Sequence, residues 1–176
     1  MIKKDKRYQM IIRRGNVEDV TAIMEMVKNT IQIMKEEEND QWDEHYPLKT
    51  DFEADISGRS LFVAEEDGKV IGSVTVDQHE PEAYNILDFQ NNTPAFLMHR
   101  LVVDVYQRGK GIAKQLIQFA EHLAIEHHCP YMKTDTYAKN KKAFSLFTSE
   151  GYTLVGEIRR EEKDSPFYVF EKTLGA

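Results

Sequence analysis

Arg108, Gly109, Lys110, Gly111, Ile112, Ala113 and Lys114 stand in that order where a long apolar run, Ala95 to Val103, gives way to a segment of helical periodicity. A turn from a strand into a helix exposes the first backbone N–H groups of the helix, which have no intrahelical acceptor, and the helix dipole adds partial positive charge there. The natural ligand of such a turn is an anion. Gly109 and Gly111 remove side chains that would hold a diphosphate off the backbone, while Arg108, Lys110 and Lys114 bring positive charge into an acidic chain. A strand-to-helix turn that needs glycine only for its geometry is the alternative, and the motif alone does not decide between the two. Two other phosphate motifs do not fit. A P-loop requires Ser or Thr directly after its Gly-Lys pair, whereas Lys110 is followed by Gly111 and Ile112. A dinucleotide fingerprint wants glycine where Lys114 stands.

The rest of the chain bounds what this turn can serve. Its 176 residues fit one domain with a real core, read as an arm over residues 1–9 and a domain over 10–176. No run approaches the roughly 18 apolar residues of a membrane span, and the opening "MIKKDKRYQM" has no apolar stretch of signal-peptide length behind it. A cytoplasmic protein without membrane contact is therefore expected. With 23 Lys and Arg against 30 Asp and Glu, the chain carries a net charge of −7 and lacks the basic face of a nucleic-acid binder. The single cysteine, Cys129, has no disulfide partner and reads as a buried thiol before Pro130. No metal site is expected.

Periodicity and turn chemistry supply the elements that position the turn. "YQMIIRR" reads as a strand, and Asn16 caps a helix whose Val20, Ile23, Met24, Val27, Ile31 and Met34 share one face. An acidic connection with Trp42 and Tyr46 leads to a second helix from Lys49 to Ile56. Asp67-Gly68 between two β-rich runs predicts a hairpin, and "AFLMHRLVVD" reads as a strand buried on both faces. The helix after the glycine turn faces inward through Ile112, Leu116, Ala120, Leu123 and Ala124. "YMKTDTY" is a strand, Asn140 and Gly151 bracket a short helix, and "YTLVGEI" and "FYVFEKTL" close the chain as strands. The order is β-α-α-β-β-β-α-β-α-β-β, an α/β fold of the α+β kind with a mixed sheet and helices on its faces.

Arg108 to Ala113 resembles the acyl-coenzyme A loop of the GNAT acetyltransferase superfamily, (Q/R)-x-x-G-x-(G/A), and "NKKAFSLFTSEGY" is similar to that family's N-x-x-A-x-x-x-Y-x-x-x-G-(F/Y) helix. The two motifs lie about thirty residues apart, and the element order agrees from Met10 to the C-terminus. The resemblance implies a single-domain GNAT fold with a mostly antiparallel central sheet, and an N-acetyltransferase using acetyl-coenzyme A as cosubstrate and, as acceptor, a primary amine of a small molecule or of a peptide or protein. It further implies that Leu101, Val102 and Val103 pair with the pantetheine arm as an added strand would, and that the amides of Arg108 through Ala113, with Lys114 beside them, cradle the diphosphate. Asn140 would bond the pantetheine arm or cap its helix.

Acetyl transfer to an amine needs an unprotonated nucleophile, a donor for the oxyanion and a proton for the departing thiolate. A strand amide near Leu101 or Val102 could serve the oxyanion. The amine's free pKa is about 10, so a base is required, and His99 is the candidate: it lies two residues before Leu101, hence on the same face of a regular strand, and a free imidazole titrates near about 6.5. A histidine hydrogen-bonded within the sheet is the alternative; Asp77 and Glu80 are further carboxylate candidates. The family's tyrosine acid falls at Phe147, which has no proton to give and is left with a place beside the cofactor. Tyr137 and Tyr152 are the nearby substitutes, and a thiol of free pKa about 8.5 also leaves tolerably as the thiolate.

The resemblance implies an acceptor site framed by the first connection, with Asp40, Trp42, Asp43, Glu44 and Tyr46, by the loop after the third strand, with Asp77, His79 and Glu80, and by the last hairpin, with Phe167 and Tyr168; acidic and aromatic residues together can hold a cation, and apolar anchoring of a lid is the alternative role of Trp42 and Tyr46. Two rival readings stand beside the enzyme: an acyl-coenzyme A-binding module without catalysis, kept open by Phe147, and a partner-binding domain whose loop holds no cofactor. A second copy of the chain is a further candidate partner.

Overall fold

The computed structural model describes residues 9–175; the basic arm inferred over residues 1–9 thus falls, but for Gln9, outside the described residues. Seven strands form one open sheet: β1 (Ile11–Arg14), β2 (Leu61–Glu66), β3 (Lys69–Asp77), β4 (Phe96–Val103), β5 (Tyr131–Tyr137), β6 (Thr153–Ile158) and β7 (Phe167–Thr173), in the spatial order β1-β2-β3-β4-β5-β7-β6. Every pairing is antiparallel except β4 with β5. Four helices cover the sheet: α1 (Val20–Glu36), α2 (Lys49–Ser57), α3 (Ile112–Glu126) and α4 (Lys141–Ser149). Among the described residues no helix is long and apolar enough to cross a membrane.

Local chemistry explains where these elements begin. Asn16 caps a 3-10 turn at Val17–Asp19 that runs straight into α1, its Oδ1 accepting from the Glu18 amide at 3.1 Å while Asp19 accepts from the Asn16 amide at 2.8 Å. Asp67 and Gly68, at φ 53° and 76°, turn β2 into β3 with the two left-handed residues that a tight hairpin requires. Asn140 caps α4 by accepting from the Ala143 amide at 3.1 Å, and Gly151, at φ 87°, follows its end.

Two helix layers then bury the sheet. α3 packs Ile112, Leu116, Ile117, Ala120 and Ala124 into the larger core with Phe62, Val74, Met98 and Phe170; Ile117 joins the predicted face and Leu123 lies at its half-buried margin. On the other side Ile23, Met26 and Val27 of α1 meet Trp42, Phe52 of α2 and Val102 of β4. Each fully buried Leu, Ile or Phe of these layers contributes roughly 1.5–3 kcal/mol of apolar burial, which is what holds β4 in the centre between both layers.

Candidate active site

The centre of the sheet is interrupted twice, on both flanks of β4. On the β3 side the register runs Asp77↔Leu97, Val76↔Met98 and Thr75↔His99, then jumps to Ser73↔Val102, so Arg100 and Leu101 together face one residue. This is a β-bulge, and Arg100 occupies it at φ 48°, a left-handed conformation that a side chain rarely adopts. Asp55 of α2 pins it: the guanidinium donates to both carboxylate oxygens at 2.8 and 2.6 Å, and Thr75 Oγ1 donates to the same carboxylate at 2.7 Å. On the β5 side, pairing stops after Phe96↔Met132, Leu97↔Lys133 and Met98↔Thr134, and the two strands part.

The bulge reverses the alternation of β4. Phe96 and Met98 face the α3 core, and beyond Arg100 it is Leu101 and Val103 that do so, while Val102 faces α1. His99 and Leu101 therefore do not share a face, contrary to the expectation from regular spacing; they meet at the parting of the strands because both border the gap.

One side of that gap is a cleft of about 500 Å³ lined by Leu101, Val102, Val103, Gly109, Gly111 and the start of α3, with Thr30 and Met34 of α1 opposite. Arg108, Ile112, Ala113, Lys114 and Asn140 also border it. Asp104 builds the approach, accepting from the Tyr106 amide at 3.0 Å through its side chain and from the Gln107 amide at 2.8 Å through its carbonyl. Gly109 and Gly111 are left-handed, at φ 81° and 77°, with open space where a Cβ would stand. No side chain caps α3, unlike α4, so its first amides are left for an anion. These residues fit a long ligand with a diphosphate head: strand edge for an arm, uncapped helix for phosphate. Lys110 does not line the cleft; its Nζ donates at 2.6 Å to Gln107, which does.

The other side is a cavity of about 650 Å³ that shares Met34, Leu101, Asn140 and Ala143 with the cleft, so the two adjoin. His99, Arg100, Trp42, Tyr46 and Phe147 line it. His99 Nε2 lies 3.1 Å from Asp77 Oδ1, and both side chains are largely buried, 21% and 13% exposed. Burial works to raise the Asp77 pKa, but the hydrogen bond and charge of His99, together with the His79 amide and ring, outweigh it and hold the carboxyl below its usual range. An ionised carboxylate only accepts, so Nε2 carries the proton and Nδ1, without a partner among the described residues, is left as the basic nitrogen.

Trp42 is buried in the α1 core while bordering the cavity, and the half-exposed Tyr46 accepts at its hydroxyl from Arg100 at 3.0 Å. Asp77 sits behind His99 rather than on the cavity wall, and the His79 side chain, 91% exposed, lies outside it. Phe147 borders the cavity with its ring against Tyr152 and Phe170. Neither substitute tyrosine reaches the cavity. Tyr137 donates to Asp164 at 2.7 Å, and Tyr152 lies behind Phe147 with a buried hydroxyl that has no hydrogen-bond partner among the described residues; burial, then Glu121, pushes its pKa far up. Tyr152→Phe should thus leave kcat unchanged and be neutral or mildly stabilising in thermal melts, since an unpartnered buried hydroxyl costs about 1–3 kcal/mol. Tyr137→Phe should leave kcat unchanged and lose about 0.5–1.5 kcal/mol with its hydrogen bond.

Sequence reasoning missed Arg100, whose role depends on Asp55 far off in the chain, and Gln41, whose Oε1 accepts from Asn140 Nδ2 at 2.6 Å and ties the α1–α2 connection to α4. Only polarity within an apolar strand marked Arg100.

The parted strands and the uncapped glycine-led helix define a sheet built to take an extended, anion-headed ligand. Residues 27–152 match the acetyltransferase (GNAT) family, and the chain belongs to it. An acetyltransferase-type protein of Staphylococcus aureus Mu50 is similar at 31% identity and TM-score 0.74, covering 94% of this chain and 99% of that chain. A GNAT-family acetyltransferase of Streptococcus agalactiae 2603 is 24% identical with TM-score 0.83, covering 96% and 98%. The same fold occurs in an acetyltransferase-type protein of Salmonella typhimurium solved with its cofactor acetyl-CoA, at 17% identity and TM-score 0.69, covering 94% of each chain.

Proposed function

We propose that the chain is an acetyl-coenzyme A-dependent N-acetyltransferase that acetylates a primary amine by direct transfer. The observation that carries this reading is the adjoining of an uncapped, glycine-led anion cleft with a cavity walled by His99, which Asp77 holds from behind. The amides at Gly109 to Ala113 hold the diphosphate, with Arg108 and Lys114 adding charge, and the β4 edge from Leu101 to Val103 holds the arm. Acetyl-coenzyme A supplies the acetyl group as a thioester, whose C–S bond breaks as the amine nitrogen forms its C–N bond. His99 Nδ1 takes the proton released from that nitrogen, and Asp77 keeps the ring in the tautomer that can accept it. Phe147 offers no proton to the sulfur, so the thiolate leaves without a side-chain acid at that place, which a thiol of pKa about 8.5 permits.

Phe147 also supports the second reading, an acyl-coenzyme A-binding module without turnover. Free-thiol release from acetyl-coenzyme A across a broad amine panel separates the two: amine-dependent release supports the enzyme, and cofactor binding without release supports the module. Phe147→Tyr tests the acid directly. If thiolate departure limits the rate, kcat rises; otherwise it stays level, with up to about 1–3 kcal/mol of stability lost to a hydroxyl buried without a partner.

A further inference from the structure

We infer that the acceptor is a small amine enclosed beneath two tied loops, not a residue of a polypeptide; this rests on the acetyltransferase reading above and deepens it. The 650 Å³ cavity has Trp42 and Tyr46 from the α1–α2 connection on one wall and Arg160 and Lys163 from the β6–β7 loop on the other. The rims of these walls touch. Lys163 Nζ donates to the carbonyl oxygen of Asp40 and lies 3.4 Å from Asp43 Oδ2, and its side chain is only 14% exposed, so it is packed into the tie rather than waving over it. Lys139 Nζ adds a second link, 3.2 Å from Asp40 and 3.0 Å from Asp164, and Tyr137 holds Asp164 from beneath. Further in, Gln41 is fastened to Asn140 at 2.6 Å.

A polypeptide acceptor bound along its length as extended backbone needs an open groove or a free strand edge along which its amides and carbonyls are satisfied. Even a bare strand takes about 4.8 Å of lateral room in a hydrogen-bonded sheet. Here the two walls stand within ion-pair distance of each other, and a chain passing between them would have to part Lys163 from Asp40 and Asp43, leaving a largely buried ammonium without its partners. A cavity of this size lies in the range of about 300–1,000 Å³ that suits small molecules, and part of it must admit the acetyl group. What remains suits a compact amine lying wholly inside.

The test is free-thiol release by the full chain with acetyl-coenzyme A, offering a panel of amino acids, diamines and polyamines and, separately, peptides of about ten residues with free N-termini and lysines. Small amines should turn over, with kcat/KM at least about 100-fold above any peptide. Peptide turnover equal to or better than the best small amine overturns this inference while leaving the acetyltransferase reading in place. Acetyl-coenzyme A binding with no acetylation in either panel overturns both. The double variant Lys139→Ala, Lys163→Ala should raise the KM of the small acceptor about fivefold or more with acetyl-coenzyme A affinity held within about twofold, and Lys163→Arg, which keeps the charge, should retain the wild-type KM. An unchanged acceptor KM in a folded double variant counts against the tie, and the peptide comparison on the wild-type chain decides the matter even where that variant does not fold.

Discussion

Gly111→Asp should lower acetyl-coenzyme A affinity by about 100-fold or more while leaving the fold standing. Gly111 is the last residue before α3, at φ 77°, and nothing lies within 4 Å of where its Cβ would be, so an added Cβ clashes with no neighbouring element. The backbone strain of an L residue in this conformation is about 1–2 kcal/mol, with aspartate among the residues that tolerate it best, against a total stability of about 5–15 kcal/mol for a domain. The new carboxylate stands at the uncapped amides of α3, where it is itself a favourable cap. It thereby takes the seat of the diphosphate and repels it. Calorimetry should show affinity falling by about 100-fold or more, near 2.8 kcal/mol at about 1.4 kcal/mol per tenfold, with a melting temperature close to wild type. Gly111→Ala brings the same strain without charge and should lose only a few-fold. An Asp variant that binds as well as wild type would remove the anion assignment from this turn.

That turn was legible in the sequence because its chemistry is local. Gly109 and Gly111 need left-handed φ, Asn140 caps the next helix through the Ala143 amide three residues on, and Asp67-Gly68 closes a hairpin between adjacent strands. Each of these is decided by residues within a few positions of one another. The proposed catalytic centre is decided otherwise. Nothing in "MHRLVV" announces a bulge, because Arg100 is held in its left-handed conformation by Asp55, 45 residues earlier in the chain and on a different layer. Regular alternation therefore put His99 and Leu101 on one face, and the bulge put them on two. Tyr137 and Tyr152 drew attention by their proximity in sequence to Phe147, yet one hydroxyl is taken by Asp164 and the other is sealed behind the Phe147 ring. The α1–α2 connection read as a run of acidic and aromatic residues, and only the packed chain shows it held by Lys139 and Lys163 across the cavity.

His99→Ala should lower kcat by about 10²–10⁴, the usual contribution of a positioned proton acceptor, while acetyl-coenzyme A affinity changes little, because His99 lines the acceptor cavity and not the phosphate cleft. Asp77→Asn probes the same centre from behind. The Asp77 pKa is depressed on balance, so its stabilising contribution is present above the unfolded carboxylate value of about 3.9 and fades as pH falls through the lower folded value. Asp77→Asn should accordingly lower the melting temperature at neutral pH, with the difference shrinking toward about pH 3. Its effect on catalysis has a different signature. An amide can donate to Nε2 where the carboxylate could only accept, and in that arrangement the ring proton sits on Nδ1, which then has no lone pair to take a proton. The expected result is a fall in kcat of about tenfold or more, with unchanged cofactor affinity, and partial recovery in Asp77→Glu, which restores an acceptor. The pH profile decides whether the histidine acts on the proton or merely packs. In the wild type the acidic limb of kcat/KM reports the group that must be unprotonated in the free enzyme, and that limb should be lost or displaced in His99→Ala. Should the limb stay where it is in both variants, His99 and Asp77 would be a hydrogen-bonded pair of the sheet, and the amine would lose its proton to water.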